Sequence, residues 1–302
     1  MSLKLKIAII ISRIIPLSVR RTIASALARL GYYLLLKHKL IVVHNLTRAF
    51  PEKSLDEILK IAKASYASFA LIVAEFSEIL YMNKDNLSQW ITLKGLDHYT
   101  EACRKGKGVL LFSAHFGNWE IGNAALAITT KPLIFIYRVL DSPFLEKAIT
   151  SVRATCGNIS MDKENAMRPM IRALKNGNTI NLLIDQNVAV YDGIFVNFFG
   201  RPACTTSGLA LLAMHTGAPV LPAFTTRQPD GKYVLEIGPE VPIVRSGNRD
   251  EDILVNTQHF TNIIEDHIRK YPEQWFWLHQ RWKTKRCQAR RVASDGEKAH
   301  SS

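Results

Sequence analysis

The chain reads as an α/β protein, a mainly parallel central sheet flanked by helices, with an N-terminal amphipathic helical extension that associates with membranes. Three observations predict this. From Val109 onward, short apolar runs alternate with stretches of helical period, as a parallel sheet with crossover helices requires. No internal repeat, low-complexity linker or long Pro/Gly/Ser tract divides the chain, so a single folded domain follows the extension. Residues 1–50 hold no Asp or Glu but nine Lys and Arg, a composition unlike the rest. The boundaries expected are an extension at 1–50, a domain at 51–285, and a basic, polar tail at 286–302 without fixed structure.

The 302 residues can bury a large core, and 47% hydrophobic content with mean hydropathy +0.01 excludes both a disordered chain and a polytopic membrane protein. A net charge of +13 calls for an anionic partner: phosphate groups, an acidic lipid surface or nucleic acid. Cys103, Cys156, Cys204 and Cys287 are widely spaced and form no CxxC, so neither a disulfide framework nor a zinc site is indicated, and a reducing compartment is the default.

In the extension, Lys4, Lys6, Arg13, Arg20, Arg21, Arg29, Lys37, Lys39 and Arg48 are unopposed by acids. The apolar run Ile7 to Ile11 stops at Arg13, too short for a spanning helix, which needs about 18 apolar residues. Between Leu17 and Leu36, Ile23, Leu27, Leu30 and Leu34 fall on one helical stripe with Arg21 and Arg29 away from it, the pattern of a helix lying in the membrane interface. Each Lys or Arg near anionic lipid adds about 1 kcal/mol of attraction. Leu55 to Leu80 reads as one or two core helices, with Ser54 and Glu57 forming a capping box. Glu75 and Glu78 on it read as solvated or structural.

Trp90 to Leu96 predicts a short strand and Leu96 to Cys103 a helix. Val109 to Phe112, preceded by Gly106 and Gly108, predicts a buried strand. Further on, strands are expected over Leu133 to Tyr137, Thr179 to Ile184, Pro219 to Thr226 and Tyr233 to Ile237. Helices are expected over Pro143 to Cys156, Asn165 to Lys175, Ser207 to Thr216 and Ile253 to Arg269.

The corner after Val109 to Phe112 carries the chemistry. Ser113 to Gly117 makes the turn, Asn118 is an N-cap, and Glu120 falls in the first helical turn, where a carboxylate suits unpaired N–H groups and the helix dipole. On one continuous helix His115 and Glu120 would diverge by about 140°. The turn removes that obstacle and lets Glu120 accept Nδ1–H of His115, leaving Nε2 as a general base. By itself the spacing is common, and a loop histidine beside a helix-start glutamate explains it equally well. Ligands in open α/β sheets gather at the carboxyl ends of strands, where Arg138 and Asp185-Gln186-Asn187 also stand, with Arg153 one helix beyond Arg138. Together they make a base, cations and a carboxylate at three strand ends.

The stretch LLFSAHFGNWE (Leu110 to Glu120) resembles the glycerolipid and lipid A acyltransferase superfamily, whose signature is His-x4-Asp/Glu at a strand-to-helix corner. HNLTRAFPEKS (His44 to Ser54), YRVLDSPFLEKAITSVRATCG (Tyr137 to Gly157), MIRALKNGNTINLLIDQN (Met170 to Asn187), the Gly193 to Phe224 block and PEQWFWLHQRWK (Pro272 to Lys283) are similar, in order, to blocks of the late lipid A biosynthesis acyltransferases of Gram-negative bacteria. The resemblance implies transfer from an acyl carrier protein thioester to a hydroxyl of a lipid A precursor, at the cytoplasmic face of the inner membrane, with no cofactor and no metal. It implies His115 as base and Glu120 as its partner, with Arg138, Arg153 and Asp185 in supporting places; Gln186 at the strand end and Asn118 at the helix start are supporting residues by position. Asn197 stands where a proline is usual, and Gly117-Asn118-Trp119 replaces the usual middle of the corner. Another membrane glycolipid or a lysophospholipid is the alternative acceptor. Nucleic acid is disfavoured, because the chain shows no Gly-rich RNA motif, zinc finger or basic helix with interleaved aromatics.

Overall fold

The computed structural model describes residues 14–285; the apolar run Ile7 to Ile11 and the 286–302 tail fall outside them. Three helices come first, α1 (Leu17–Leu34), α2 (Leu36–Ala49) and α3 (Leu55–Glu75). Ser54 caps α3 through the expected box: its hydroxyl accepts the Glu57 N–H, and the Glu57 carboxylate accepts the Ser54 N–H at 2.8 Å. No periodicity announces α2, because its buried stripe of Val42, Asn45, Leu46 and Ala49 includes a polar residue. Asn45 is there for a reason: its amide donates to the carbonyls of Trp277 and His279, each at 2.9 Å, pinning the C-terminal segment.

The strands follow in chain order as β1 (Ile91–Lys94), β2 (Val109–Ser113), β3 (Leu133–Tyr137), β4 (Ile159–Asp162), β5 (Thr179–Leu183), β6 (Gly193–Phe198), β7 (Arg201–Thr206), β8 (Val220–Arg227) and β9 (Tyr233–Ile237). Seven of them form one sheet in the order β1-β9-β8-β2-β5-β3-β4, and β6 and β7 form a separate antiparallel pair. The five strands from β8 to β4 are mutually parallel; β9 runs antiparallel to β8, and β1 parallel to β9. The sheet is therefore mainly parallel, as expected. Two features of the strands escape the sequence pattern. β4 is a half-exposed edge strand with no apolar run, and the β6–β7 hairpin turns through Phe199 at φ +51 and Gly200 at φ +68 rather than through a familiar turn dipeptide.

Helices α4 (Leu96–Arg104), α5 (Trp119–Thr129) and α6 (Pro143–Ala154) cover one face of the sheet. The other is covered by α7 (Met167–Lys175), α8 (Gly208–Thr216) and α9 (Arg249–Lys270), together with α2 and α3. Alternate residues of β2 serve the two cores: Leu110 and Phe112 one, Val109 and Leu111 the other. All five β2 residues are buried, which is why the strand reads as a continuous apolar run. Among the described residues no helix is long and apolar enough to cross a membrane.

The predicted stripe of α1 faces solvent. Ile23, Leu27, Leu30 and Leu34 are 49%, 61%, 53% and 67% exposed. The opposite face, with Arg21, Ser25, Ala28 and Tyr32, packs inward, so Arg21 is not the solvated cation the pattern suggested. Its Nε donates to Glu75 at 2.7 Å, and Arg20 pairs with Glu78. Both glutamates are thus structural rather than solvated.

One core histidine sets an acid limit on stability. His267 of α9 stacks on Phe224 with ring centroids 4.2 Å apart and meets Phe116 edge-on at 4.6 Å. Burial, helped by the charge of Lys270, pushes its pKa down to about 4 from 6.5. Between those two values the unfolded chain takes up a proton that the folded state refuses, so stability falls as pH drops through that window. The loss amounts to about 3 kcal/mol for this residue. Urea unfolding at pH 7 and pH 4.5 should show the fall, and His267→Phe should flatten it by one proton's share.

Candidate active site

The corner is built from packing upward. Parallel pairing sets Ser113 of β2 beside Leu183 of β5, so the residues two places further on, His115 and Asp185, emerge side by side. Gly117 turns the chain at φ +51, where a Cβ would lie 1.7 Å from the Thr225 carbonyl oxygen of β8. Gly122, one turn into α5, is pressed on the same strand, with Thr225 Oγ1 1.9 Å from its would-be Cβ. Asn118 caps α5 as predicted, its Oδ1 accepting the Ile121 N–H at 3.2 Å.

Asp185 is the carboxylate behind the histidine. Its Oδ1 accepts Nδ1–H of His115 at 2.8 Å, and its Oδ2 accepts the His115 backbone N–H at 2.9 Å and the Trp275 indole N–H at 2.8 Å. Burial alone would raise the Asp185 pKa. The imidazole beside it and these three donors outweigh burial and hold it at about 2, so the group is charged at neutral pH. An ionised Asp185 fixes the tautomer with the proton on Nδ1 and the lone pair on Nε2. That Nε2 lies 3.3 Å from the Gln186 side-chain nitrogen, which donates to it, and the imidazole is 23% exposed.

This corrects the expectation that Glu120 orients His115. Helix α5 begins at Trp119, and from its first turn Glu120 points toward α6 instead. Its carboxylate takes Arg153 Nη2 at 2.6 Å, Arg153 Nε at 3.0 Å and the Trp119 indole N–H at 3.0 Å. Trp119 in turn stands edge-on to His115, with ring centroids 5.2 Å apart, so Glu120 borders the cleft one side chain away from the base. Arg153 gives Nε and Nη2 to Glu120 and lies over the rings of Phe135 and Tyr137, while its Nη1 is buried without a hydrogen-bond partner. Burial lowers its pKa, but the Glu120 charge and hydrogen bonds prevail, and the net shift is upward. Arg138, exposed at the end of β3, pairs with Asp141 at 2.7 Å and, among the described residues, does not join the cluster.

The C-terminal segment completes the corner. Gly117 N–H donates to the Gln274 carbonyl at 2.9 Å, and Phe276 N–H to the His115 carbonyl at 3.0 Å. The segment thus straps across the turn, places the Trp275 indole on Asp185 and sets Phe276 against Phe69. Sequence reasoning assigned this segment no role. Its dense aromatics, Trp275, Phe276, Trp277 and Trp282, are the signal that could have marked it.

Among the described residues no hydroxyl or thiol is hydrogen-bonded to Nε2 of His115, and no His, Cys, Asp and Glu gather as metal ligands. A charged carboxylate and an imidazole that it orients, with the lone pair on Nε2, meet at this strand-to-helix corner. Residues 4–284 match the bacterial lipid A biosynthesis acyltransferases, and the chain belongs to that family. It is an acyltransferase. It is similar to the lipid A biosynthesis lauroyltransferase of Escherichia coli (strain K12), 27% identical over 276 residues that cover 90% of this chain and 87% of the relative. It is also 27% identical over 243 residues to the palmitoleoyltransferase of the same organism, covering 80% and 77%. A phosphatidylinositol mannoside acyltransferase of Mycolicibacterium smegmatis is 26% identical over 241 residues, covering 79% and 77%.

The two carboxylates should be separable by kinetics. Asp185→Asn leaves Nδ1 without a charged acceptor and should lower kcat by roughly 10²- to 10⁴-fold. Glu120→Gln should act through Arg153, so its effect should not add to that of Arg153→Met in a double-mutant cycle. Asp185→Asn and Arg153→Met should add. Non-additivity of the second pair alone would return the orienting role to the Glu120 side.

Proposed function

We propose that this chain transfers a fatty acyl group from an acyl carrier protein thioester to a hydroxyl of a lipid A precursor, at the cytoplasmic face of the inner membrane. The observation that carries the chemistry is the His115–Asp185 bond, which leaves the lone pair on Nε2 of a partly exposed imidazole. As the acceptor oxygen attacks the thioester carbonyl, His115 Nε2 takes the hydroxyl proton. The tetrahedral intermediate then collapses, the C–S bond breaks, and the imidazolium returns the proton to the leaving thiolate. The products are an ester and the free thiol of the carrier. In the first turn of α5, Trp119 and Glu120 N–H groups have no carbonyl within the helix to bond, and they would receive the developing oxyanion.

The membrane reading rests on α1. Its exposed Ile23, Leu27, Leu30 and Leu34, with Leu35, Leu36 and Leu40 close after, form an apolar surface flanked by exposed Arg29 and Lys37. Such a surface suits shallow insertion beside anionic headgroups. The acid-free composition of residues 1–50 supports the same placement. A second acceptor class, another mannosylated or glycosylated membrane lipid, is favoured by the likeness to the phosphatidylinositol mannoside acyltransferase.

Purified protein given carrier-bound acyl chains should esterify a lipid A precursor far faster than a phosphatidylinositol mannoside, as read by mass spectrometry. His115→Ala should abolish transfer while leaving the melting temperature within a few degrees of the parent. The reverse acceptor preference would move the assignment to the second class.

A further inference from the structure

Glu75 is the most enclosed carboxylate in the described chain, 0% exposed at the end of α3, and the transfer chemistry does not use it. Four groups converge on it. Oε1 accepts Arg21 Nε at 2.7 Å and lies 3.6 Å from Arg227 Nη2. Oε2 accepts the Tyr233 hydroxyl and Asn118 Nδ2 at 3.1 Å. The tyrosine is held in its donating form, since burial and the carboxylate both raise its pKa. A lone buried carboxylate is costly, and the three hydrogen bonds and the second guanidinium gathered on this one hold it in a definite arrangement.

The two ends of that network differ in kind. Asn118 is the cap of α5. By accepting its NH₂, Glu75 turns the Asn118 amide so that Oδ1 faces the Ile121 N–H and the first turn of α5 is fixed beside His115. Arg21 belongs to α1, on the face opposite the exposed stripe of Ile23, Leu27, Leu30 and Leu34. One carboxylate therefore touches both the helix that presents an apolar surface and the cap of the helix that starts the active-site corner. Asn118 also lies in the short run where this chain departs from the usual corner sequence.

We infer that Glu75 is a positioning residue that couples the seating of α1 to the geometry of the α5 N-terminus, so that docking of α1 on a lipid surface tightens the corner. The coupling rests on the membrane reading above; the positioning of Asn118 does not. Arg21 is 29% exposed on its side chain, at the rim of the network, where a shift of α1 on insertion reaches it first.

The test is amide hydrogen exchange on the full chain, free and on vesicles of phosphatidylethanolamine and phosphatidylglycerol, read for α1 and for residues 118–122. In the unsubstituted protein vesicles should slow exchange in both segments. Glu75→Gln should speed exchange at 118–122 by ~10-fold or more, the scale of a lost bond to a charged group, with other core segments unchanged. Arg21→Met, at the rim and less disruptive to folding, should keep vesicle protection of α1 but lose it at 118–122, and Arg21→Lys should restore it. On vesicles, Arg21→Met should lower kcat with KM for the acceptor unchanged. Parent-like exchange at 118–122 in Glu75→Gln would overturn the positioning role. Vesicle protection of 118–122 persisting in Arg21→Met would overturn the coupling. Absence of α1 protection in the unsubstituted protein would instead overturn the membrane reading, and the coupling with it.

Discussion

The hydrogen bond between His115 Nδ1 and Asp185 depends on one constraint, the in-register parallel pairing of β2 with β5. Each strand ends and turns at the same height, so a base from one and a carboxylate from the other meet without any long side chain having to reach. Flexible glutamates or lysines could bridge a misregistered pair, but with more rotamers to freeze. Asp185 gives up nearly all its hydration to sit there. Three N–H donors replace that hydration, and two of them, the His115 main chain and the Trp275 indole, hold the carboxylate whatever the imidazole does. Asp185 is thus held from two sides besides the imidazole.

Much of this fold is legible in the sequence because it follows from burial. Strands β2, β3, β5 and β8 are covered on both faces and read as apolar runs, and the capping box of α3 and the Asn118 cap of α5 are local motifs with local causes. The strand order is not local. Nothing in the chain order says that β5, third after β2, lies beside it, and without that adjacency Glu120, five residues from His115, looks the natural partner. The carboxyl end of β5 did flag Asp185 as a site residue; only the pairing turns it toward Nδ1. The strap at 272–282 stands out as a block of aromatics, but where it lies does not. Its backbone bonds reach a corner some 160 residues earlier, through carbonyls and N–H groups that carry no sequence signature.

The extension shows the same limit in reverse. An apolar stripe on a helix ordinarily means a core face, and its arginines ordinarily mean solvent. In α1 the apolar stripe stays outside and Arg20 and Arg21 turn inward, while Arg29 is exposed. Small residues, Ser25 and Ala28, let it lie close to α3 while Arg20 and Arg21 reach Glu78 and Glu75, and the leucines stay outside. The pattern of hydrophobicity was readable; which side of the helix met protein depended on acids more than fifty residues away, at and just beyond the end of α3.

The polar groups around Nε2 bear on how the acceptor enters. Gln186 is held in place from behind. Arg281, fully buried, donates to the Cys204 carbonyl at 2.8 Å and to Thr205 Oγ1, and its Nη1 also approaches the Gln186 carbonyl at 3.5 Å. Burial lowers the pKa of this guanidinium to about 10, still well above neutral, so a fixed positive charge stands behind the loop. The next residue is held as well, since Asn187 N–H donates to His279 Nε2 at 2.8 Å. With its main chain fixed, Gln186 has only side-chain torsions left to move. Its amide covers the lone pair of His115, and under the proposed function an acceptor hydroxyl would take that place. The exchange is nearly balanced, one N–H···N bond for one O–H···N bond, so the acceptor gains its footing from the rest of its contacts in the cleft. Trp119 and Phe276 wall the imidazole on two sides and bring apolar surface to it. A lipid hydroxyl, presented with hydrocarbon beside it, gains from those walls what a water molecule does not.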